Sequence, residues 1–355
     1  MKALKVAVVG ATGAVGRELL SILATRKFPV GELVPFASVR SQGKSVKFGD
    51  RSYACRVLEP GCFQGIDIAF FDASDAISKD WVPQAAKAGA WVVDNSATFR
   101  YEPEHLLLVP EVNGELLVER LKKGTASLQP HERILTGPNC STVQMVLALK
   151  PIRDRWGLKR VVVSTYQSTS GAGAAAVDEL KAQTAAYLQG EAPAPKAFAH
   201  QIAFNFIPHI GGFKDDGYTS EETKMIQESR KLLGMPNLPM SPTAVRVPTL
   251  NCHGESINVE TLKAFTIGDV RAALVAQPGI IVQDDPAQAV YPMSMPGAQS
   301  RVEGAAGRDA VYVGRIRKDP SLENGLNLWV VSDNLRKGAA LNAVQIGELL
   351  LQHAF

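Results

Sequence analysis

Along the first 140 residues, short apolar runs alternate with longer stretches whose apolar positions recur every three to four residues. "KVAVVG", "DIAFFD" and "AWVVDN" have no polar face and read as strands buried on both sides, while "VGRELLSILATR" and "WVPQAAKAG" carry helical spacing. That alternation predicts a parallel sheet covered by helices. From about residue 155 the texture changes. "RVVVSTYQ", "SINVETLKAF", "VYVGRIRK" and "LNLWVVSD" look two-sided, which predicts a mixed or largely antiparallel sheet with one covered face. Among these strands lie an Ala-rich helix, "AGAAAVDELKAQTAAYL", a connector "GEAPAPKAF" too short to be a domain linker, and a helix "SEETKMIQESRKLLG" opened by a Thr219 and Glu222 capping box. The tail "DNLRKGAALNAVQIGELLLQH" has Leu341, Val344 and Leu349 at near-helical spacing and is expected to close the first domain from the far end of the chain. No internal repeat or low-complexity segment interrupts the pattern.

Composition narrows this picture without redirecting it. The 355 residues are enough for two domains, and 46% hydrophobic with 21% charged residues is ordinary for a globular protein. The net charge is only +3 and no Lys/Arg run occurs, so nothing points to nucleic acid. Cys55, Cys62, Cys140 and Cys252 form no CxxC pair and no zinc spacing, which indicates neither a disulfide framework nor a metal site and suits a reducing cytoplasm. The N-terminal apolar run is too short for a signal peptide. No stretch approaches the roughly 20 apolar residues of a membrane span.

Two places carry chemistry. "GATGAVG" sets Gly10, Gly13 and Gly16 between a valine-rich strand and a helix, where backbone N–H groups can approach a pyrophosphate; a tight turn without a ligand is the structural alternative. The next strand should end in Asp or Glu if a ribose 2′-hydroxyl is read. Instead "PFASVRSQGK" offers Ser38, Arg40 and Ser41, which suit a 2′-phosphate and hence NADP, or else form a solvated basic turn. In "TGPNCSTVQMVLALKP", Cys140 follows Asn139 at the first turn of a helix, where the free N–H groups favour a thiolate; a buried inert cysteine is the alternative. His253 lies in "RVPTLNCHGES", read as a loop between a strand bearing Arg246 and the next strand. The other five histidines lie in loops, near proline or at the terminus.

Taken in order, "GATGAVG", "ASVRSQG", "DNSATFR", "GPNCST", "STSGAG", "EETK", "RVPTLNCHGES" and "SDNLRKGAALNAVQI" closely resemble the bacterial aspartate-β-semialdehyde dehydrogenases, over nearly the whole chain. The resemblance implies an α/β protein with a Rossmann-like, NADP-binding domain over 1–139 plus a C-terminal helix within 334–355. Residues 140–333 would form an α+β catalytic and dimerisation domain of a cytoplasmic homodimer.

It implies oxidation of L-aspartate 4-semialdehyde to L-4-aspartyl phosphate with NADP and inorganic phosphate, on the route to lysine, threonine and methionine. Cys140 would be the nucleophile that gives a thiohemiacetal and then a thioester, His253 the acid/base, and Gln167 a positioning residue. Arg100 and Lys224 match phosphate-binding positions, and Arg246 and Glu221 those for the carboxylate and the amine, with Asn139 beside the thiol. The cofactor would contact Gly10, Thr12, Gly13, Ala14, Val15, Gly16, Ser38, Arg40, Ser41, Ser170, Gly171 and Asn334, the last also capping the final helix. Without the resemblance, Glu221 and Lys224 read as a surface ion pair at i,i+3.

One departure is Cys252, where the family often carries Gly before the histidine. The alternatives are an N-acetyl-γ-glutamyl-phosphate reductase, against which the acidic Glu221 argues, a catalytically silent cofactor-binding paralogue, and a thiol hydrolase that needs no cofactor.

Overall fold

The computed structural model describes residues 3–297 and 300–355. The chain divides into two compact units, Met1–Asn139 with Ala339–Phe355, and Cys140–Gly338.

The first unit contains β1 (Leu4–Val9), α1 (Ala14–Thr25), β2 (Val30–Phe36), β3 (Ser45–Phe48), β4 (Arg51–Ala54), β5 (Ile68–Phe71), α2 (Asp75–Lys87), β6 (Trp91–Asp94), β7 (Leu106–Leu107), α3 (Pro110–Asn113), α4 (Glu115–Leu121) and β8 (Ile134–Thr136). Six strands form one parallel sheet in the order β2-β1-β5-β6-β8-β7, and β3 and β4 form a separate hairpin. Alternate residues of β1 feed two cores. Leu4, Val6 and Val8 pack with Leu19 and Leu23 of α1, whereas Ala7 and Val9 pack with Val82 and Ala85 of α2. Burial on both faces is why these strands lack a polar side.

The C-terminal helix α9 (Leu341–His353) joins the first of these cores through Leu341, Val344, Ile346 and Leu350. Each such side chain, fully buried, stabilises by about 1.5–3 kcal/mol. Helix α2 starts six residues before the apolar stretch that announced it, with Ser74 at its N-cap and Asp75 in its first turn, where a negative charge complements the helix dipole.

The second unit comprises α5 (Cys140–Trp156), β9 (Leu158–Gln167), α6 (Ala174–Leu188), α7 (Ser220–Leu232), β10 (Met240–Arg246), β11 (His253–Thr261), α8 (Ile267–Ala276), β12 (Ile280–Val282), β13 (Val311–Asp319) and β14 (Gly325–Ser332). Its sheet runs β10-β9-β11-β14-β13-β12, with parallel pairs at each edge and antiparallel pairs between them. Helix α5 packs on β9, β11, β13 and β14, with α7 and α8 beside it. Strand β11 alternates buried and half-exposed positions along its length, as a sheet covered on one face should.

Strand β11 begins at His253, three residues earlier than the alternation of "SINVETL" suggested, so this histidine is a strand residue and not a loop residue.

Candidate active site

Three adjacent strand ends build the site in the second unit. Gln167, the last residue of β9, is in register with Arg246 on β10 and with His253 on β11, and His253 is in register with Ser332 on β14. Residues in register across a sheet project to the same face, so Arg246, Gln167 and His253 form one row, and all three are buried.

Helix α5 supplies the thiol to this row. Cys140, its first residue, places Sγ 3.2 Å from Nε2 of His253. One turn on, Gln144 donates from Nε2 to the His253 carbonyl at 3.2 Å. Positions i and i+4 share a helix face, so the same face of α5 addresses both the ring and the backbone of the histidine. Gly338, in the π-helical turn Arg336–Ala340, lies against the start of α5: an added Cβ there would lie 2.9 Å from the Cys140 Cβ.

The other ring nitrogen of His253, Nδ1, accepts the backbone N–H of Ser168 at 3.1 Å. Arg246 donates from Nη1 to the Ser168 carbonyl at 2.6 Å. Burial, and then the Arg246 charge, push the His253 pKa down to about 3. The Arg246 pKa is lowered by burial, against opposing contributions from the Cys140 sulfur and Glu221.

The two acids of α7 do different work. Glu222 closes the capping box, with the Thr219 N–H donating to its Oε2 at 2.7 Å and Thr219 Oγ1 accepting its N–H, and it also accepts the Ala244 N–H at 2.9 Å. Glu221 turns inward, where the Gln167 amide donates to it at 3.4 Å. Lys224 lies 3.8 Å from Glu221, as i,i+3 spacing allows, but Glu221 is buried, so the pair is no ordinary surface ion pair. Glu221 is thus joined through Gln167 to the row that holds Arg246 and His253, with Lys224 next to Glu221.

At Gly171 an added Cβ would lie 3.1 Å from Arg246 Nη1 and 3.2–3.3 Å from the His253 ring, so a side chain in the Ser170–Gly171 turn would press on both by a few tenths of an ångström. Asn334 does not cap the final helix. Asp333 Oδ1 takes the Leu335 and Arg336 N–H groups at 2.9 and 3.1 Å, whereas Asn334 Oδ1 accepts the Cys252 N–H and the Ser168 and Ser170 hydroxyls at 3.0–3.1 Å. These tertiary donors outcompete the local cap.

The remaining candidates lie in the first unit. Gly10 has φ +86° and an added Cβ would overlap the Asp72 carbonyl oxygen; one at Gly16 would overlap the Gly10 carbonyl oxygen. The turn therefore accepts only glycine at both positions. Thr12 sits in this turn, Gly13 is the N-cap of α1, and Ala14, Val15 and Gly16 open that twelve-residue helix, whose first N–H groups have no intrahelical acceptor. Ser38, Arg40 and Ser41 follow β2, Ser38 as the N-cap of a 3-10 turn containing the other two. Such a turn fits a dinucleotide diphosphate, and the basic hydroxyl-bearing segment fits a 2′-phosphate. Arg100 is buried and donates to the Asn95 carbonyl at 2.6 Å, and Asn139 is buried immediately before the thiol.

Sequence reasoning missed Ser168, Gln144 and Gly338. The i,i+4 spacing of Cys140 and Gln144 was a usable signal, but nothing local marks Ser168, whose part is played by its backbone.

Residues 5–120 match the family described as "Semialdehyde dehydrogenase, NAD binding domain", and residues 149–337 match "Semialdehyde dehydrogenase, dimerisation domain". An aspartate-semialdehyde dehydrogenase of Aquifex aeolicus is 51% identical over 350 residues, covering 98% of each chain. One from Bacillus subtilis is 45% identical over 357 residues, again 98% of each. Among solved structures, aspartate semialdehyde dehydrogenase II from Vibrio cholerae, complexed with ASA, superposes with a TM-score of 0.92 at 43% identity over 100% of both chains.

Proposed function

The chain belongs to the aspartate-semialdehyde dehydrogenase family, and from that membership we propose that it oxidises L-aspartate 4-semialdehyde to L-4-aspartyl phosphate with NADP and inorganic phosphate. The observation that carries the reading is the thiol of Cys140 at 3.2 Å from His253, which shares one strand-end row with Gln167 and Arg246. His253 takes the Cys140 proton as Sγ bonds to the aldehyde carbon, gives it to the oxygen of the resulting thiohemiacetal, and takes it back as the carbonyl re-forms. NADP, when bound, supplies the acceptor for the hydride that leaves this carbon. The thioester that remains on Cys140 is attacked by phosphate, and sulfur leaves. Serine would not serve, because an alkoxide is a far poorer leaving group than a thiolate.

Arg246 binds the substrate carboxylate, for which a planar guanidinium is matched, and Glu221 binds the ammonium, with Gln167 orienting both. Lys224 and Arg100 take the phosphate. The buried Glu221 disfavours an N-acetylated substrate, which has no cationic amine to offset the carboxylate. Gly10, Thr12, Gly13, Ala14, Val15 and Gly16 hold the diphosphate of the cofactor, Ser38, Arg40 and Ser41 its 2′-phosphate, and Ser170, Gly171 and Asn334 its nicotinamide half.

The protein works as a homodimer through the second unit, whose Tyr187, Phe204, Phe206 and Phe213 are each more than half exposed. Light scattering tests this, and a monomer overturns it. The product serves lysine, threonine and methionine synthesis in the cytoplasm, where the four free cysteines stay reduced.

The decisive assay is NADPH formation from L-aspartate 4-semialdehyde with and without inorganic phosphate, beside N-acetylglutamate semialdehyde and with NAD in place of NADP. Phosphate-dependent turnover of the aspartate compound, with NADP preferred, is expected. Turnover of the acetylated compound alone, or of neither, overturns the reading; equal turnover with NAD overturns the cofactor preference.

A further inference from the structure

The residues that follow four neighbouring strands of the first unit come together at the carboxyl ends of its sheet. Gly10 follows β1, Asp72 follows β5, Asn95 follows β6 and Gly137 follows β8. The strand order reverses between β1 and β5, and the crevice outside such a switch point is where open α/β sheets bind their ligands.

Contacts of short range tie this row together. The Asp72 carbonyl oxygen fills the space where a Cβ on Gly10 would stand, so Asp72 lies directly against the glycine turn. Its Oδ1 accepts Asn95 Nδ2 at 2.6 Å. The Asn95 N–H donates to the Phe71 carbonyl at 3.0 Å, so both the main chain and the side chain of Asn95 are held by the end of β5. Gly137 leaves room for Asn95 Oδ1, which an added Cβ would approach to 2.5 Å.

Arg100 hangs from this row. Its Nη2 donates to the Asn95 carbonyl at 2.6 Å, so the buried arginine bends back over its own loop onto a fixed residue. The loop between them is anchored as well. Asp94 accepts the Ser78 and Ser96 hydroxyls at 2.9 and 2.7 Å, and Asp75 accepts the Ala97 N–H at 2.9 Å.

For the fold alone, Asp72 is a poor choice. Its Oδ2 is shielded from solvent and has no hydrogen-bond partner among the described residues. Burial, opposed by the Asn95 hydrogen bond and reinforced by Asp94, pushes its carboxyl up to about 7. A carboxyl whose pKa is higher folded than unfolded loses stability as pH rises toward the folded value, so above that pH the ionised group opposes folding. An asparagine would accept the same bond without this penalty. What the carboxylate adds is an acceptor that cannot donate: it directs Asn95 Nδ2 to itself and leaves Oδ1 facing Gly137.

We propose that Asp72 and Asn95 are positioning residues for the phosphate co-substrate, holding Arg100 in its binding direction on the same row of strand ends that carries the dinucleotide turn. This rests on the assignment of phosphate to Arg100 made above. Neither residue touches the reacting atoms, and their contribution is to the affinity for phosphate and not to the chemical step.

The test is calorimetric titration of the full-length enzyme with inorganic phosphate in the presence of NADP, beside KM for phosphate in the oxidative assay. Asp72→Ala should weaken both by about tenfold, as loss of a contact that orients a binding group does, while kcat at saturating phosphate and KM for aspartate semialdehyde stay within about twofold. Asp72→Asn keeps an acceptor. It should return phosphate affinity to within about threefold of the wild type and melt no lower at pH 8. Asn95→Ala should resemble Asp72→Ala, and the double variant should be no worse than either, because both act through one hydrogen bond.

A lowered melting temperature with unchanged phosphate affinity in the folded protein would assign both residues to the fold and overturn the proposal, as would additive losses in the double variant. If phosphate fails to bind the wild type, or binds Arg100→Ala equally well, the Arg100 assignment falls and the proposal with it. Failure to turn over aspartate semialdehyde, with phosphate bound by the wild type and released by Asp72→Ala, sinks the proposed reaction and leaves the positioning role standing.

Discussion

The turn from Gly10 to Gly16 and the surroundings of Cys140 are made of different material. The turn is backbone throughout: Gly10 and Gly16 admit no Cβ, and its useful groups are peptide N–H donors at the start of α1. The thiol site is made of side chains drawn from α5, α7 and three strand ends, with only the Ser168 N–H and the Gly171 turn contributed by main chain. A backbone site needs a continuous stretch and is damaged through its fold. A side-chain site is assembled from distant segments and can lose its chemistry while the fold survives.

The largest expected effect separates chemistry from fold. Cys140→Ser should lower phosphate-dependent NADPH formation by roughly 10⁴-fold or more, since the leaving group disappears together with the nucleophile. Its melting temperature should stay within a few degrees of the wild type, because the change is close to isosteric. An active serine variant would remove the thiol from the mechanism.

Gly10→Ala should do the reverse. The left-handed backbone costs an alanine about 1–2 kcal/mol, and overlap with the Asp72 carbonyl adds about 1–3 kcal/mol because main chain must move. A lowered melting temperature and weakened NADP binding are expected together. An unchanged melting curve would show that the turn tolerates a side chain.

Gly171→Ala sharpens the contrast, since here the neighbours are the His253 ring and Arg246 and not backbone. Stability should hardly change, while kcat/KM falls by about tenfold as the ring is displaced by a few tenths of an ångström. A large loss of stability with normal turnover by the folded fraction would assign this glycine to the fold alone.

The same contrast explains what could be read from the sequence. The strands β1, β5 and β6 were legible because burial on both faces removes every polar residue from a run, and the glycine turn was legible because its requirements lie within seven consecutive residues. The start of β11 was not. Its buried face continues outward from Val259 and Ile257 to Glu255 and His253, and polar residues at these positions hide the period of two. Asn334 misled for a related reason: Asn and Asp are comparable caps in isolation, and only the Ser168, Ser170 and Cys252 donors, distant in sequence, decide that Asp333 takes the helix and Asn334 the loop. The family motifs named the thiol and the histidine, but not the Ser168 N–H that meets the ring.

Cys252 gives the smallest expected effect. It adjoins the histidine in sequence, yet its thiol packs with Ala305, Tyr312 and Val331, and burial, aided by Asp333, pushes its pKa up to about 12. Its backbone has φ +70°, a conformation glycine adopts without strain. Cys252→Ser should therefore retain kcat within about twofold, since the residue sets a backbone angle and fills a small space away from the reacting atoms. In Cys252→Gly, relief of about 1 kcal/mol of left-handed strain should roughly offset the loss of a small buried side chain, leaving stability within about 1 kcal/mol of the wild type. Mass spectrometry after brief alkylation should find Cys140 modified and Cys252 intact. If Cys252→Ser were dead and Cys140→Ser active, the nucleophile would be the wrong thiol, and the strand register that brings His253 to Cys140 would have to serve structure alone.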